Sequence, residues 1–213
     1  MDSEAIAALR EEYEAAGLSE AQAGHDPVAL FARWLQEAVA SGIHDPNAMA
    51  LATATPSGRP SVRIVLLKGF DADGAVFYTN RESRKGDELE LNPHAALALL
   101  WHPLQRQVRI EGHVSRVGDD LSDSYFASRP RGSQLGAVAS SQSRVVPDRV
   151  ALERAYDAAA ATYPDVVARP PWWGGYRVAL EVVEFWQGRT GRMHDRIRFT
   201  RVDDGWQRER LAP

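Results

Sequence analysis

The sequence predicts a mainly β fold with flanking helices: an antiparallel barrel carrying helices at its ends and edges. Two observations predict it. Six or seven apolar or alternating runs are joined by short turn signals such as Ser57-Gly58 and Asp203-Asp204-Gly205, the pattern of antiparallel strands. No G-x-G-x-x-G joins a strand to a helix, which disfavours a parallel βαβ dinucleotide unit. The 213 residues suffice for one sizeable core. With no repeat, low-complexity tract or linker, the chain reads as a single domain over 1–213.

Helices lead. Residues 3–17 read as a first helix, with Ser3 as N-cap, Ile6, Leu9 and Tyr13 at helical spacing, and Gly17 as the stop. A second begins at Asp26-Pro27, a cap followed by proline at the first position. Its expected buried face is Leu30, Phe31, Trp34, Leu35, Ala38 and Val39, and Gly42 ends it. The two make an N-terminal helical segment over 1–45. Strands follow at 48–55, 61–68 and 75–80. A short helix over 83–91, capped by Ser83 and closed by Asn92-Pro93, precedes strands at 95–101 and 105–117, the latter alternating around Val108, Ile110 and Val114. Helices over 120–127 and 147–161 lead to final strands at 176–186, 195–201 and 206–210. The Pro130–Gly132 region between those helices reads as loop.

Composition narrows the function classes. Without cysteine there is no disulfide framework, thiolate zinc site, iron–sulfur cluster or cysteine nucleophile. A mean hydropathy of −0.37 and no long apolar run exclude a membrane helix. The acidic start MDSEAIAALREEYE is unlike a signal peptide, so the expected location is the cytoplasm. The net charge of −4 conceals an asymmetry: residues 1–50 carry nine acids against Arg10 and Arg33, leaving a positive remainder. Only Lys68 and Lys85 among the 25 basic residues are lysine. Codon bias accounts for that, or these two serve as compact point charges where a planar guanidinium fits less well.

Four clusters carry candidate chemistry. In R-I-V-L-L-K at 63–68, the odd separation of Arg63 and Lys68 would send them to opposite faces of a regular strand, suiting two separate anions or a strand with solvated ends. Tyr78-Thr79-Asn80 followed by Ser83-Arg84-Lys85 sets a hydroxyl and two bases at a helix N-terminus, an anion site or an ordinary capped surface helix. In the third, Tyr125 and Arg129 share a face if their helix reaches Arg129, with Ser133 joining from the following loop. In the fourth, 192–196, an extended chain would project Arg192, His194 and Arg196 together. Together the clusters offer bases and hydroxyls for at least two phosphates, with aromatics nearby. No residues have metal-ligand spacing or a nucleophile elbow, and the negative net charge argues against a nucleic-acid partner.

These residues together resemble a known family. R-I-V-L-L-K at 63–68, F-Y-T-N at 77–80, S-R-K at 83–85, Y-F-x-S-R-P-R at 125–131, F-W-Q-G at 185–188, R-M-H-D-R at 192–196 and W-x-x-x-R-L-A-P at 206–213 are similar to pyridoxamine/pyridoxine 5′-phosphate oxidase. The resemblance implies an FMN-binding split β-barrel homodimer, with flavin sites at the subunit interface. It implies that Arg63, Tyr78, Thr79, Arg84, Lys85, Gln107, Gln142, Ser143, Trp186 and Arg196 bind FMN. Lys68, Tyr125, Arg129 and Ser133 would hold the substrate phosphate, and Arg192 and His194 would lie over the pyridine ring as the catalytic pair. Arg10 and Tyr13 match an N-terminal segment that covers the site. Met193 replaces a usual leucine, and Gly132 a frequent aspartate. The implied reaction oxidises the substrate C4′, yielding pyridoxal 5′-phosphate, while O2 becomes hydrogen peroxide. Two other classes use similar residues: a non-catalytic pyridoxal phosphate or FMN carrier, and a different split-barrel flavin reductase.

Overall fold

A computed structural model describes residue 13 and residues 17–213. The expected first helix over 3–17 lies almost wholly outside the described residues, as does Arg10. Among the described residues there are ten β-strands and six α-helices, two strands more than the eight ranges read from the sequence. The chain divides into two compact units, one of Met1–Met49, Leu97–Ile110 and Leu180–Pro213, the other of Ala50–Ala96 and Glu111–Ala179.

The first unit opens with α1 (Glu20–Ala23) and α2 (Pro27–Ala40). Asp26 caps α2 by accepting from the Val28 amide at 2.9 Å, and Pro27 occupies the first turn, where its missing N–H costs nothing. Leu30, Phe31, Trp34 and Ala38 are buried as the periodicity requires, but Val39 is exposed. At 100° per residue it falls beyond the edge of the apolar stripe that Leu30 and Trp34 define. The Trp34 ring meets Phe185 edge-on at 5.3 Å, and the Arg106 guanidinium lies 4.5 Å above it while pairing with Glu37. Strands β8 (Val182–Gln187), β9 (Asp195–Val202) and β10 (Gly205–Leu211) form an antiparallel meander. Its inward residues Val183, Phe185, Ile197 and Phe199 are fully buried.

The second unit contains all but the first two residues of the hairpin of β1 (Ala48–Ala54) and β2 (Pro60–Leu66), closed by the expected Ser57-Gly58 turn, with Gly58 at φ +83. The expected strand 61–68 stops at Leu66, and a separate β3 (Gly69–Asp71) pairs with β4 (Gly74–Asn80). Strand β4 pairs antiparallel with β7 (Trp173–Val178), so the expected single strand 176–186 is two strands, broken at 179–181. Strands β5 (His94–Trp101) and β6 (Arg106–Arg116) contribute residues to each unit. Helices α3 (Arg84–Leu91), α4 (Asp119–Ser128) and α6 (Arg149–Thr162) fall close to their expected places.

The largest correction is α5 (Arg131–Ala139), where loop was expected. Gly132 and Gly136 lower its intrinsic propensity, but burial of Leu135 in a cluster with Phe126, Ala159, Val167 and Trp173 compensates. The Gln134 side-chain amide donates to the Phe126 and Ala127 carbonyls at 2.9 and 3.2 Å. It thereby joins the Arg129 amide on the Phe126 carbonyl and meets the Ala127 carbonyl at the end of α4.

Candidate active site

In the second unit, β2, β4 and helices α3–α5 surround a cleft of about 830 Å³, within the range of small-molecule sites. Arg63, Lys68, Tyr78, Thr79, Arg84, Lys85, Tyr125, Arg129, Ser133, Gln142 and Ser143 all line it. Arg63 and Lys68 therefore share one cleft, contrary to the parity argument. The strand ends at Leu66, so the alternation that would have opposed them does not reach Lys68. Likewise Arg129 does not continue the helical face of Tyr125. Its backbone is extended (φ −74, ψ 148), and Ser133 enters from the first turn of α5, not from a loop.

One end of the cleft is a hydrogen-bonded basic cluster. The buried Lys85 ammonium donates to Gln142 Oε1 at 2.8 Å, Ser83 Oγ at 3.1 Å and Thr79 Oγ1 at 3.2 Å. Burial, then the Arg63 charge, pulls Lys85 down to about 8, and Glu88 partly offsets this. Arg63 donates to the Leu51 carbonyl at 3.1 Å, Thr53 Oγ1 at 2.6 Å and Ser61 Oγ at 2.5 Å. Burial lowers its pKa too. Ser83 occupies the N-cap position of α3, yet its hydroxyl does not cap the helix. It donates to the Asn80 carbonyl at 2.7 Å and accepts from Lys85. The amides of the first turn of α3 thus keep their capacity to meet an anion.

The other group is aromatic and cationic. Tyr78 and Tyr125 stack at 4.1 Å, and Trp173 lies nearly parallel to both, 5.5 and 6.1 Å away. The Arg129 guanidinium sits 4.8 Å over Trp173, with its Nη1 buried and without a hydrogen-bond partner. Lys68 Nζ stands 5.9 Å from the Tyr125 ring. A buried guanidinium N–H without a protein partner is costly, and an anionic acceptor would satisfy it. Sequence reasoning missed Trp173, since no spacing tied it to Arg129. It also missed Glu88, although its position four residues after Arg84 on one helix was a usable signal.

Gln107, Trp186, Arg192, His194, Arg196 and Tyr13 belong to the first unit. His194 lies against Trp186 at 4.8 Å and Tyr13 at 5.4 Å. Its Nδ1 accepts from the Arg189 amide at 3.2 Å, which in the neutral ring places the proton on Nε2. The chain from 192 to 196 is not extended throughout. Residues Thr190–Arg192 form a 3₁₀ turn, Arg192 has φ +59, and β9 begins only at Asp195. The strand alternation that would have aligned Arg192, His194 and Arg196 is therefore absent. Arg192 is exposed, whereas Arg196 is paired in two-pronged fashion with the buried Glu184, at 2.8 and 3.1 Å. Gln107 is half-buried on β6. Among the described residues no cluster of His, Asp or Glu could hold a metal ion, and no helix is long and apolar enough to cross a membrane.

The chain matches the family model described as pyridoxamine 5′-phosphate oxidase over residues 35–163, and that of the pyridoxine 5′-phosphate oxidase C-terminal dimerisation region over 173–213. Curated pyridoxine/pyridoxamine 5′-phosphate oxidases from Nocardioides sp. and Rubrobacter xylanophilus are 56% and 54% identical to it. Each alignment covers 98% of this chain, and 98% and 96% of the respective relatives. Among solved structures, PhzG from Burkholderia lata, in complex with tetrahydrophenazine-1-carboxylic acid, is 32% identical with a TM-score of 0.88, over 94% of this chain and 100% of that one. An FMN-binding, pyridoxamine 5′-phosphate oxidase-related protein from Nostoc punctiforme shares the fold, with a TM-score of 0.71 at 18% identity over 89% of this chain and 100% of its own. The antiparallel strands and flanking helices are thus those of the FMN-binding split β-barrel, and the basic cluster with its open helix N-terminus fits a flavin phosphate. The chain is an FMN-dependent oxidoreductase and belongs to the pyridoxamine 5′-phosphate oxidase family.

Proposed function

We propose that this protein oxidises pyridoxamine 5′-phosphate, pyridoxine 5′-phosphate or both to pyridoxal 5′-phosphate, with O2 reduced to hydrogen peroxide, and that it works as a homodimer. The observation that carries the reading is the unpartnered, buried Arg129 Nη1 beside Lys68, Tyr125 and Ser133 in the cleft. Two cations and two hydroxyls suit a dianionic phosphate ester. The match of residues 173–213 to a dimerisation region supports the homodimer.

Arg63, Arg84, Lys85, Thr79, Gln142 and Ser143 would hold the FMN phosphate and its polar chain, with Tyr78 beside them; Gln107, Trp186 and Arg196, in the first unit, are the further residues that the family resemblance assigns to FMN. Bound there, FMN supplies a two-electron acceptor that O2 can reoxidise. The protein's part is placement: anchoring the substrate phosphate removes the freedom that would otherwise separate C4′ from the flavin. Arg192 would pack on the substrate ring, and His194, with Nε2 carrying the proton, would donate a hydrogen bond to it. Tyr13, in contact with Trp186 and His194, would help cover the ring.

The likeness to PhzG favours a second reading, a reduced phenazine carboxylate as substrate. A carboxylate carries one negative charge and needs fewer partners than this group offers, so the phosphate ester is preferred. The full chain, reconstituted with FMN in air, should form pyridoxal phosphate and peroxide from the phosphorylated vitamers. Turnover of tetrahydrophenazine-1-carboxylic acid alone would replace this reading with the second. Flavin that binds but is not reduced anaerobically by either vitamer would indicate a carrier.

A further inference from the structure

The basic cluster contains one buried acid that none of the expected roles uses. Glu88 lies in the second half of α3 with its side chain 5% exposed. Its Oε1 accepts from Arg84 Nε at 2.9 Å, while Oε2 accepts from Ser61 Oγ at 2.5 Å and from Thr53 Oγ1, and lies 3.4 Å from Arg63. One carboxylate thus ties together β1, β2 and α3. It grips two of the three cations that would meet a flavin phosphate. Because Arg84 is half-exposed, without this grip its guanidinium has room to turn toward water and away from the cleft, while Arg63, held also by Leu51, Thr53 and Ser61, loses the carboxylate that balances its charge.

We propose that Glu88 is the positioning residue of this cluster: it fixes Arg63 and Arg84 toward the cleft and offsets their charge so that Lys85 remains an ammonium beside them. The proposal rests on the reading of the cluster as the flavin phosphate seat. Burial disfavours the Glu88 carboxylate, but hydrogen bonds from Ser61, Thr53 and Arg84 and the Arg84 charge outweigh it and hold the group at about 2. It is ionised at neutral pH. Lys85 is faced by Thr79 on β4, Ser83 at the N-cap of α3, Glu88 on α3, Arg63 on β2 and Gln142 after α5. Asp87, the other acid of that turn, is half-exposed and paired with Arg144. Removing the Glu88 charge leaves Lys85 facing the Arg63 charge with no counter-ion close by. Three cations against one acid also leave a net charge of two, which matches a phosphate monoester dianion.

The chain has two lysines, so NMR of the lysine ε-carbons resolves Lys85 directly, and Lys68→Arg assigns it by elimination. The flavin-free full chain is titrated as wild type, Glu88→Gln and Glu88→Asp, with Glu90→Gln as a control on the outer face of α3. The Lys85 midpoint should fall by about one pH unit in Glu88→Gln, the usual effect of losing one close counter-charge, and lie between the two in Glu88→Asp. Glu90→Gln should leave it unchanged. The alkaline limit of FMN affinity, read by flavin fluorescence quenching, should move down with it. A folded Glu88→Gln whose Lys85 midpoint matches wild type overturns the proposal. Should that variant not fold, an unmoved midpoint in Glu88→Asp does the same. Failure of the wild type to bind FMN would instead overturn the cofactor assignment, since the lysine titration needs no flavin.

Discussion

Lys85 Nζ donates to Gln142 Oε1 at 2.8 Å across 57 residues of sequence, joining the first turn of α3 to the segment that follows α5. The ammonium spends its three protons on Gln142, Ser83 and Thr79, so a phosphate entering here must share or displace one of them. That relationship makes the cleft responsive to pH.

Lys85 is held at about 8, below its ordinary 10.5. Between those values the unfolded chain binds more protons than the native one, so this group's contribution to stability rises with pH across that window. Lys85→Met should flatten the rise, as measured by urea unfolding of the flavin-free protein at several pH values from 8 to 10.5. An unchanged slope would mean that the group titrates alike in both states.

Arg129 stacks on Trp173 and presents a buried, unpartnered N–H. Arg129→Lys keeps the charge but loses the planar fork and the stacking. It should raise KM for the phosphorylated substrate by about tenfold to a hundredfold, a loss of about 1.4–2.8 kcal/mol, with FMN affinity unaltered. A KM equal to wild type would remove Arg129 from the phosphate seat.

At Gly175 on β7, a Cβ would lie 2.4 Å from Val117 Cγ2 and 2.8 Å from the Tyr78 ring. Gly175→Ala should therefore destabilise the protein by about 1–3 kcal/mol and turn Tyr78 out of its stack with Tyr125 and Trp173. Thermal unfolding and the near-ultraviolet circular dichroism of those rings report the two effects separately.

Asp195 is buried and accepts from the Leu18 amide at 2.8 Å and from Arg210, with Arg189 at 3.4 Å. Burial disfavours its charge, but these partners outweigh that and lower its pKa below 3.8. The associated stability is complete above about pH 4 and is lost as pH falls through the lowered value. Asp195→Asn should loosen residues 17–24 at neutral pH, seen as faster limited proteolysis of that segment.

Much of this protein is legible in the chain itself. Helix α2 was readable because Asp26, Pro27 and the Leu30–Phe31–Trp34–Ala38 periodicity agree, each through local physics that needs no partner. The hairpin at Ser57-Gly58 and the strand alternation of β6 are of the same kind. So are the residues of the site, since Lys68 and Lys85, the hydroxyls and the arginines carry their chemistry wherever they lie. The failures were equally physical. Helix α5 is stabilised by burying Leu135 against Phe126, Ala159 and Trp173, residues distant in sequence that override its two glycines. The break after Leu66 and the 3₁₀ turn at Arg192 are departures of two or three residues from regular backbone, and each overturns a face assignment made by counting. Composition and motif thus determined a mainly β protein of recognisable family, with bases and hydroxyls suited to phosphate. Tertiary packing alone decided that Arg63 and Lys68 face one cleft, that Trp173 supports Arg129, and that Glu88 holds the arginines. Burial and long-range contacts set those outcomes, and neither is a property of a residue's neighbours along the chain.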